Sequence, residues 1–354
     1  MRRIVSIDLG ARSYPVVIDA DGYAGLQQHL LEVCPAADRG AVLVTDHHVG
    51  PLWEAAVRAA LPRIPLHTIV VPAGELHKTV EVWRGLVDRI LAQSPTRSTP
   101  ILALGGGMVG DLAGFAAACT LRGLPVVQLP TSLLAMVDAS VGGKTAVNHP
   151  RGKNLIGAFH QPRLTWASLP TLGTLPTDEL RSGLGEVIKA AAIGAPDLLD
   201  ELGSDPLPLP WIVQRCVEVK AGVVALDELE SGVRGILNAG HTVGHALETA
   251  LGHGVLPHGH AVAIGLLAEA RYAVRAGVCA QPGLPRRLRE AIEGVGLPAE
   301  LPEVDPALMS AAIRVDKKGS ADTLCVPLPV QVGVYRLVDV PWNGIDRLWK
   351  TSPP

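Results

Sequence analysis

Aromatic side chains are scarce: Phe, Tyr and Trp make up 3% of the 354 residues, with only two Phe. So little stacking surface argues against nucleic acid as a partner. A formal net charge of −3 supplies no basic field for nucleic acid or an anionic membrane. The five cysteines (Cys34, Cys119, Cys216, Cys279 and Cys325) are odd in number, scattered and without a CxxC pair, which fits a reducing compartment and excludes a disulfide framework. No apolar run is long enough to span a bilayer, and no basic-then-apolar leader opens the chain. The expectation is a soluble cytoplasmic enzyme with no nucleic-acid or membrane partner.

Glycine and proline, by contrast, are plentiful at 38 and 29 residues and imply many tight turns, while an apolar content of 48% excludes disorder. A chain of this length has room for two domains. In its first half, YPVVID (14–19), AVLVTD (41–46), HTIVV (67–71), PILAL (100–104) and PVVQL (125–129) read as strands rich in β-branched residues. Between them AGLQQHLLEV, LWEAAVRAAL, TVEVWRGLVDRILAQ and DLAGFAAACTL read as helices. Such alternation predicts a mainly parallel sheet with crossover helices. Beyond Pro170 helical patterns dominate. The fold expected is therefore an α/β Rossmann-like domain over residues 1–172 and an all-α domain over 173–354.

LALGGGMVGDLAGF sets Gly105, Gly106, Gly107 and Gly110 after a strand and before a helix. Glycine lets a backbone approach a pyrophosphate, and a helix N-terminus favours its charge. The run departs from the usual dinucleotide fingerprint, because three strands precede it and no suitable acid follows about 20 residues on. Asp46, at the end of an earlier strand, is the better partner for an adenosine ribose; a purely structural glycine turn is the competing reading. In DASVGGKTAVNHPRGKNLIGAFHQP, Asp138, Lys144, Asn148, Lys153 and Asn154 share what reads as a Gly-broken loop. Amides freed by Gly142 and Gly143, beside two lysines, suit an anion there. Arg122, Lys189, Lys220, Arg234, Lys317 and Lys318 each read singly as solvated charges.

LNAGHTVGHALETALGHGVLPHGH places His241 and His245 four residues apart with His258 downstream, and SGLGEVIKA sets Glu186 and Lys189 one turn apart. Imidazoles at i and i+4 share a helical face. Histidine with carboxylate is the usual donor set of a catalytic zinc, which keeps one position open for chemistry. On spacing alone His241 and His245 both read as metal ligands, with capped or buried helix histidines as the alternative.

Together these segments resemble 3-dehydroquinate synthase, a family of the sugar phosphate cyclase superfamily. The resemblance runs through GELHKT (74–79), GGGMVGDLAGFAAACTLRG (105–123), LPTSLLAMVDASVGGKTAVNHPRGKNLIGAFHQP (129–162), LRSGLGEVIK (180–189), DELESGVRGILNAGHTVGHALE (227–248), HGHAVAIG (258–265) and DKK (316–318), nearly the whole chain in order. It implies an N-terminal domain holding NAD, a C-terminal domain holding a divalent metal (Zn or Co), and substrate in the cleft between them. The implied metal ligands are Glu186, His241 and His258, with His245 turned to the substrate phosphate, against the spacing argument. The implied NAD site comprises Asp46, Glu75, Lys78, Gly106, Gly107, Asp111, Thr131, Ser132 and the turn of Thr171, Leu172 and Thr174, with Gly105, Gly110, Lys144 and Lys153 beside them. For the substrate the family pocket maps to Asp138, Lys144, Asn154, Lys189, Lys220, Glu230, Arg234, Asn238, His245 and one of Lys317 and Lys318. Arg122 matches a residue contributed across a dimer interface, which implies a homodimer.

The reaction implied is conversion of 3-deoxy-D-arabino-heptulosonate 7-phosphate to 3-dehydroquinate and phosphate, by transient oxidation, β-elimination, re-reduction and aldol closure. One motif departs from the family: HGE is replaced by HGH, with His260 in place of Glu. That form resembles the sedoheptulose 7-phosphate cyclases such as 2-epi-5-epi-valiolone synthase. Other cyclases of secondary metabolism, 2-deoxy-scyllo-inosose synthase and aminodehydroquinate synthase, are further alternatives. Lys220 and Arg234, suited to a substrate carboxylate, favour dehydroquinate synthase. A metal-dependent alcohol dehydrogenase and a non-catalytic binding protein are the readings from other classes.

Overall fold

The computed structural model describes residues 2–252, 254–315 and 322–350, and divides into two compact units between Leu175 and Pro176. The division comes just after the short 3-10 helix Leu169–Thr174, three residues beyond the boundary expected between 172 and 173.

The N-terminal unit is built on a seven-stranded sheet. Its strands are β1 (Arg2–Ile7), β2 (Tyr14–Asp19), β3 (Ala41–Asp46), β4 (Leu66–Val71), β5 (Ile101–Gly105), β6 (Val126–Pro130) and, after a separate hairpin, β9 (Leu164–Ser168). They lie in the order β1-β2-β9-β6-β5-β3-β4, all parallel except the edge pair β1–β2. Successive strand side chains point to opposite faces, and β3 and β5 divide accordingly. Leu43, Leu102 and Leu104 pack with α1 (Leu26–Val33) and α2 (Gly50–Ala60). Val42, Val44, Ile101 and Ala103 pack with α3 (Val80–Leu91) and α4 (Gly107–Cys119). Helices on both faces explain why these strands read as continuous apolar runs. The strand order reverses between β3 and β5, and in such sheets the crevice outside the carboxyl ends at the reversal is the ligand position.

The stretch that reads as a Gly-broken loop is an antiparallel hairpin, β7 (Lys144–His149) with β8 (Gly152–Phe159). Gly157 interrupts the strand pattern because the neighbouring backbone is too close for a side chain: a Cβ there would overlap the Thr145 carbonyl oxygen.

The C-terminal unit is helical: α5 (Thr177–Gly194), α6 (Asp197–Glu201), α7 (Leu209–Leu226), α8 (His241–Leu251), α9 (His258–Arg275), α10 (Leu284–Gly294) and α11 (Pro306–Val315). It also carries one hairpin that the sequence reading did not include, β10 (Thr323–Gln331) with β11 (Val334–Pro341). The turn of that hairpin is tied to α5 by a hydrogen bond from Gly333 N to the Ala192 carbonyl at 2.8 Å. Among the described residues no helix is long and apolar enough to cross a membrane, and all five cysteines are free thiols.

Candidate functional site

In the C-terminal unit, helices α5, α8 and α9 approach so closely that glycine is required at each contact. A Cβ on Gly185 would overlap the Gly259 carbonyl, one on Gly259 the Ser182 carbonyl, and one on Gly265 the Gly240 carbonyl. Gly240, at φ +79°, would place a Cβ 2.6 Å from the Val262 oxygen, and Gly244 one 2.9 Å from the Ala261 oxygen. Glu186, His241, His245 and His258 are the immediate chain neighbours of Gly185, Gly240, Gly244 and Gly259. Helix contact at these glycines brings the four polar side chains together.

Glu186 Oε1 faces two imidazole nitrogens at once, His258 Nε2 at 3.4 Å and His241 Nε2 at 3.6 Å. Metal–donor distances of about 2.0–2.1 Å put neighbouring donors of a tetrahedral zinc about 3.3–3.4 Å apart, so the trio has the dimensions of a divalent-cation site. Ligand atoms of His241, His245 and His258 also lie within 4.8 Å of one another, a looser set in which His245 is exposed. The donor set fits a divalent cation. His241 Nδ1 lies 3.1 Å from the Ala239 carbonyl, which assigns its proton to Nδ1 and leaves the Nε2 lone pair facing Glu186. Burial, with Lys189, His245 and His258 adding like charge, holds the His241 pKa well below the usual histidine value against the pull of Glu186. This imidazole is neutral.

His258 differs. Burial disfavours its charge, but hydrogen bonds to Glu186 and Glu248 outweigh that and push its pKa up to about 9. Glu248, buried, meets His258 Nδ1 at 3.3 Å. The other oxygen of Glu186 is ion-paired with Lys189, also buried. Glu269, fully buried on α9, accepts a hydrogen bond from Gly240 N at 2.6 Å, fixing the start of α8 beside His241. Sequence reasoning missed Glu248 and Glu269. The signals were present: Glu248 falls seven residues after His241 on one helical face, and Glu269 is a lone carboxylate in the apolar run AVAIGLLAEA.

The remaining C-terminal residues expected at a site lie as follows. Lys220 and Arg234 are buried, at 8% and 1% exposure. Arg234 donates to the Glu228 carbonyl, and its main-chain N–H to Asp227 Oδ2 at 3.0 Å. Glu230, at φ +57°, accepts from Asn238 Nδ2 at 2.7 Å. His260 has Asp178 and Arg181 as charged neighbours, and burial lowers its pKa. Lys317 and Lys318 lie outside the described residues.

In the N-terminal unit, Asp46 ends β3 and Gly105 ends β5, at the reversal of strand order. Helix α4 begins inside the glycine run, at Gly107. Gly105 and Gly110 serve packing, since a Cβ would come within 2.6 Å of Val109 Cγ2 and 2.7 Å of Gln128 Oε1 respectively. At Gly106 it would approach nothing nearer than Ser132 Oγ at 3.4 Å. Gly106 therefore leaves the first amides of α4, which have no intrahelical acceptor, approachable by a pyrophosphate. The cradle fits a dinucleotide. One oxygen of Asp46 already accepts from His48 N and Val49 N, each at 2.8 Å, and so shapes the turn.

Beside this cradle, Lys78 is buried and its Nζ donates to Asp111 Oδ2 at 2.5 Å and Asn154 Oδ1 at 2.6 Å. Burial opposes its charge, but Asp111 and Glu75 raise its pKa above the lysine norm. Asn148 joins by donating to Glu75 Oε1 at 2.8 Å. The structure thus brings Glu75, Lys78, Asp111, Asn148 and Asn154 into one network. Thr131 N donates to the Gly105 carbonyl, and Ser132 Oγ accepts from Ala135 N. Thr171 and Thr174 close the turn before α5, and Trp53 Nε1 donates to Thr174 Oγ1. Lys144 and Lys153 lie on the hairpin, Asp138 in the turn Ala135–Ala139, and Arg122 on the surface at φ +67°.

Comparison with known proteins finds two family models that meet within α5, beyond the structural division. Residues 68–182 match the 3-dehydroquinate synthase N-terminal family and residues 183–319 the C-terminal one. A 3-dehydroquinate synthase from Pelobacter propionicus is 44% identical, covering 89% of this chain and 90% of its own. Among solved structures, 2-deoxy-scyllo-inosose synthase complexed with carbaglucose-6-phosphate, NAD+ and Co2+ superposes with a TM-score of 0.86 at 26% identity, covering 98% and 99% of the two chains. The 2-epi-5-epi-valiolone synthase of Streptomyces hygroscopicus, with NAD+ and Zn2+ bound, gives 0.83 at 29% identity and 98% coverage of both. The fold is that of the sugar phosphate cyclases, and the chain belongs to the 3-dehydroquinate synthase family.

Proposed function

We propose that this protein is a 3-dehydroquinate synthase, a carbon–oxygen lyase of the shikimate pathway that converts 3-deoxy-D-arabino-heptulosonate 7-phosphate to 3-dehydroquinate and phosphate. The observation that carries the reading is the convergence of His241 Nε2 and His258 Nε2 on one oxygen of Glu186, at 3.6 and 3.4 Å. These three residues would hold Zn or Co, and the cradle of Asp46, Gly106, Gly107, Thr131 and Ser132 would hold NAD, with the Glu75–Lys78–Asp111 network and the Thr171–Thr174 turn beside it. When bound, NAD supplies a hydride acceptor that is regenerated, and the cation polarises adjacent substrate hydroxyls.

The chain's own residues do the rest. Lys220 and Arg234 grip the substrate carboxylate, and their burial makes that contact selective, because a sugar lacking the carboxylate forfeits it. Lys144, Asn154, Lys189 and His245, matched to the family's phosphate residues, would orient the phosphate. Cations in place before the bond breaks stabilise charge as it develops on the leaving group. Asp138, Glu230 and Asn238 complete the pocket. Arg122 serves the partner's site in a cytoplasmic homodimer. The identity of 44% to a dehydroquinate synthase, against 26% and 29% to the two secondary-metabolic cyclases, favours the carboxylated substrate.

The test offers purified protein, NAD and a divalent metal with each heptulose phosphate in turn, and quantifies phosphate and carbocycle. Release from 3-deoxy-D-arabino-heptulosonate 7-phosphate without net NADH is expected, abolished by chelator and restored by zinc or cobalt. Release only from sedoheptulose 7-phosphate would assign the chain to the valiolone-type cyclases that share its HGH motif. Net NADH would indicate an alcohol dehydrogenase.

A further inference from the structure

Helix α9 begins at His258 and ends against a second feature, unrelated to the donor trio. Ile264, Ala268, Arg271 and Arg275 form one stripe along it. They wall a cavity of about 220 Å³ closed on other sides by Glu300, Trp349 and Lys350. Three cations thus line it against one carboxylate. That carboxylate is taken, since Glu300 is ion-paired with Arg289. Two of the cations are also engaged: Arg275 donates to the Arg347 carbonyl at 2.7 Å, and Lys350 Nζ meets Asp346 Oδ2 at 2.9 Å.

Arg271 is the exception. Among the described residues no hydrogen bond or ion pair engages its guanidinium, which is half-buried. Burial and the like charges of Arg289 and Arg275 work against its proton, with only Glu300 in its favour. Trp349 walls the cavity; it is 6% exposed and its indole Nε1 is enclosed by protein. Buried donors are nearly always satisfied, and an unmatched one marks a missing partner. A half-buried guanidinium lacking an acceptor, in a cavity with surplus positive charge, calls for an anion.

We propose that this cavity is a binding site for a small anion of the carboxylate or phosphate class, held by the Arg271 guanidinium. A planar fork matches either anion in bidentate fashion. The volume lies below the roughly 300–1,000 Å³ of sites for drug-sized ligands, so the occupant is a compact metabolite and not a nucleotide.

Malonate and inorganic phosphate serve as probes, titrated separately against the NAD- and zinc-loaded protein while tryptophan emission and thermal midpoint are followed. Because phosphate is also a product of the proposed reaction, the malonate arm and the variants separate the two sites. Saturable binding of at least one probe is expected, weakened tenfold or more in Arg271→Ala and partly recovered in Arg271→Lys. Trp349→Phe, which removes an emitter beside the cavity and lowers the ligand-free melting point through the void it leaves, should diminish the emission change while the ligand-induced rise in thermal midpoint persists. Saturation by one probe alone supports the site and identifies its class. Equal binding to parent and Arg271→Ala, or no saturable response to either probe in the parent, overturns the proposal.

Discussion

The glycines at the end of β5 and within α4 make room for side chains, whereas those beside the donor trio make room for backbone. An added Cβ would come within 2.6 Å of Val109 from Gly105, 2.7 Å of Gln128 Oε1 from Gly110 and 2.5 Å of Thr145 Cγ2 from Gly114. In the C-terminal unit the atoms met are carbonyl oxygens of Ser182, Gly240, Gly259, Ala261 and Val262. A side chain has other rotamers to turn to; a helix carbonyl moves only with its helix. The N-terminal cradle, made of main-chain amides, therefore tolerates local adjustment. The trio does not, because Glu186, His241 and His258 are spaced by the separation of α5, α8 and α9.

The largest effect expected from this contrast is at Gly259. Gly259→Ala forces α9 from the Ser182 carbonyl and also endangers the bond from Gly259 N to Ser182 Oγ at 3.0 Å. Overpacking costs about 1–3 kcal/mol where neighbours give way, and more where they are backbone. Gly259→Ala should lie at or beyond the upper end and lose bound metal by elemental analysis. Gly110→Ala, meeting the tip of Gln128, should cost about 1 kcal/mol and keep its metal. Equal losses in denaturant titrations of the two variants would break the comparison.

A smaller effect is expected at Glu248, which acts on the trio through His258 Nδ1. A carboxylate on the far nitrogen of a ligating imidazole fixes its orientation and basicity, and its loss typically weakens metal binding about 10–100-fold. Glu248→Gln should lower zinc affinity in that range and alter the visible spectrum of the cobalt form. The pH dependence has a definite sign. In metal-free protein the His258 proton is retained up to about pH 9, so the stability from its two carboxylate contacts is complete below the ordinary histidine value and fades as pH rises through about 9. A metal must displace that proton, so apparent affinity should climb with pH and level off near 9, and level off lower in Glu248→Gln. An unchanged plateau would remove Glu248 from the role.

How far the sequence could be read follows from the same physics. Strands β2 to β6 are legible almost to the residue: β2, β3, β5 and β6, buried on both faces, leave continuous apolar runs, and the edge strand β4 keeps the β-branched run Thr68–Val71. The β7–β8 hairpin is not, since close approach at Gly157 breaks its alternation and its lysines mimic a loop. In the trio region, His241–His245 and Glu186–Lys189 show through helical spacing. Which donors converge depends on how three helices dock: His241, His245 and His258 come within 4.8 Å of one another, as spacing within α8 anticipates for the first two, while Glu186, on another helix, lies 3.4 and 3.6 Å from His258 and His241. Glu248 and Glu269 stayed hidden because a carboxylate on an amphipathic helix reads as solvent-facing unless its burial is known.

The smallest effect distinguishes two aspartates that shape turns, one in each unit. Asp46 holds two main-chain N–H groups after β3 through one oxygen. Asp227 uses both oxygens, accepting from Ser231 N at 2.9 Å, Gly232 N at 2.7 Å and Arg234 N at 3.0 Å, and so sets the turn from which Arg234 enters the interior. The Ser231 N–H first, then those of Arg234 and Gly232 and the Ser231 hydroxyl, draw the Asp227 pKa down to about 2 against opposing desolvation. A depressed carboxylate contributes stability that is present above its unfolded value near 4 and disappears as pH falls through about 2. Asp227→Asn should therefore lower stability at neutral pH, where the carboxylate's contribution is present, and flatten acid unfolding between about pH 4 and 2, because a single amide oxygen accepts only part of these bonds. If Arg234 depends on this turn for its position, the variant should also raise KM for a carboxylated substrate with kcat unchanged. A matching rise from Asp46→Asn would show that the two turns are not specialised as their geometry indicates.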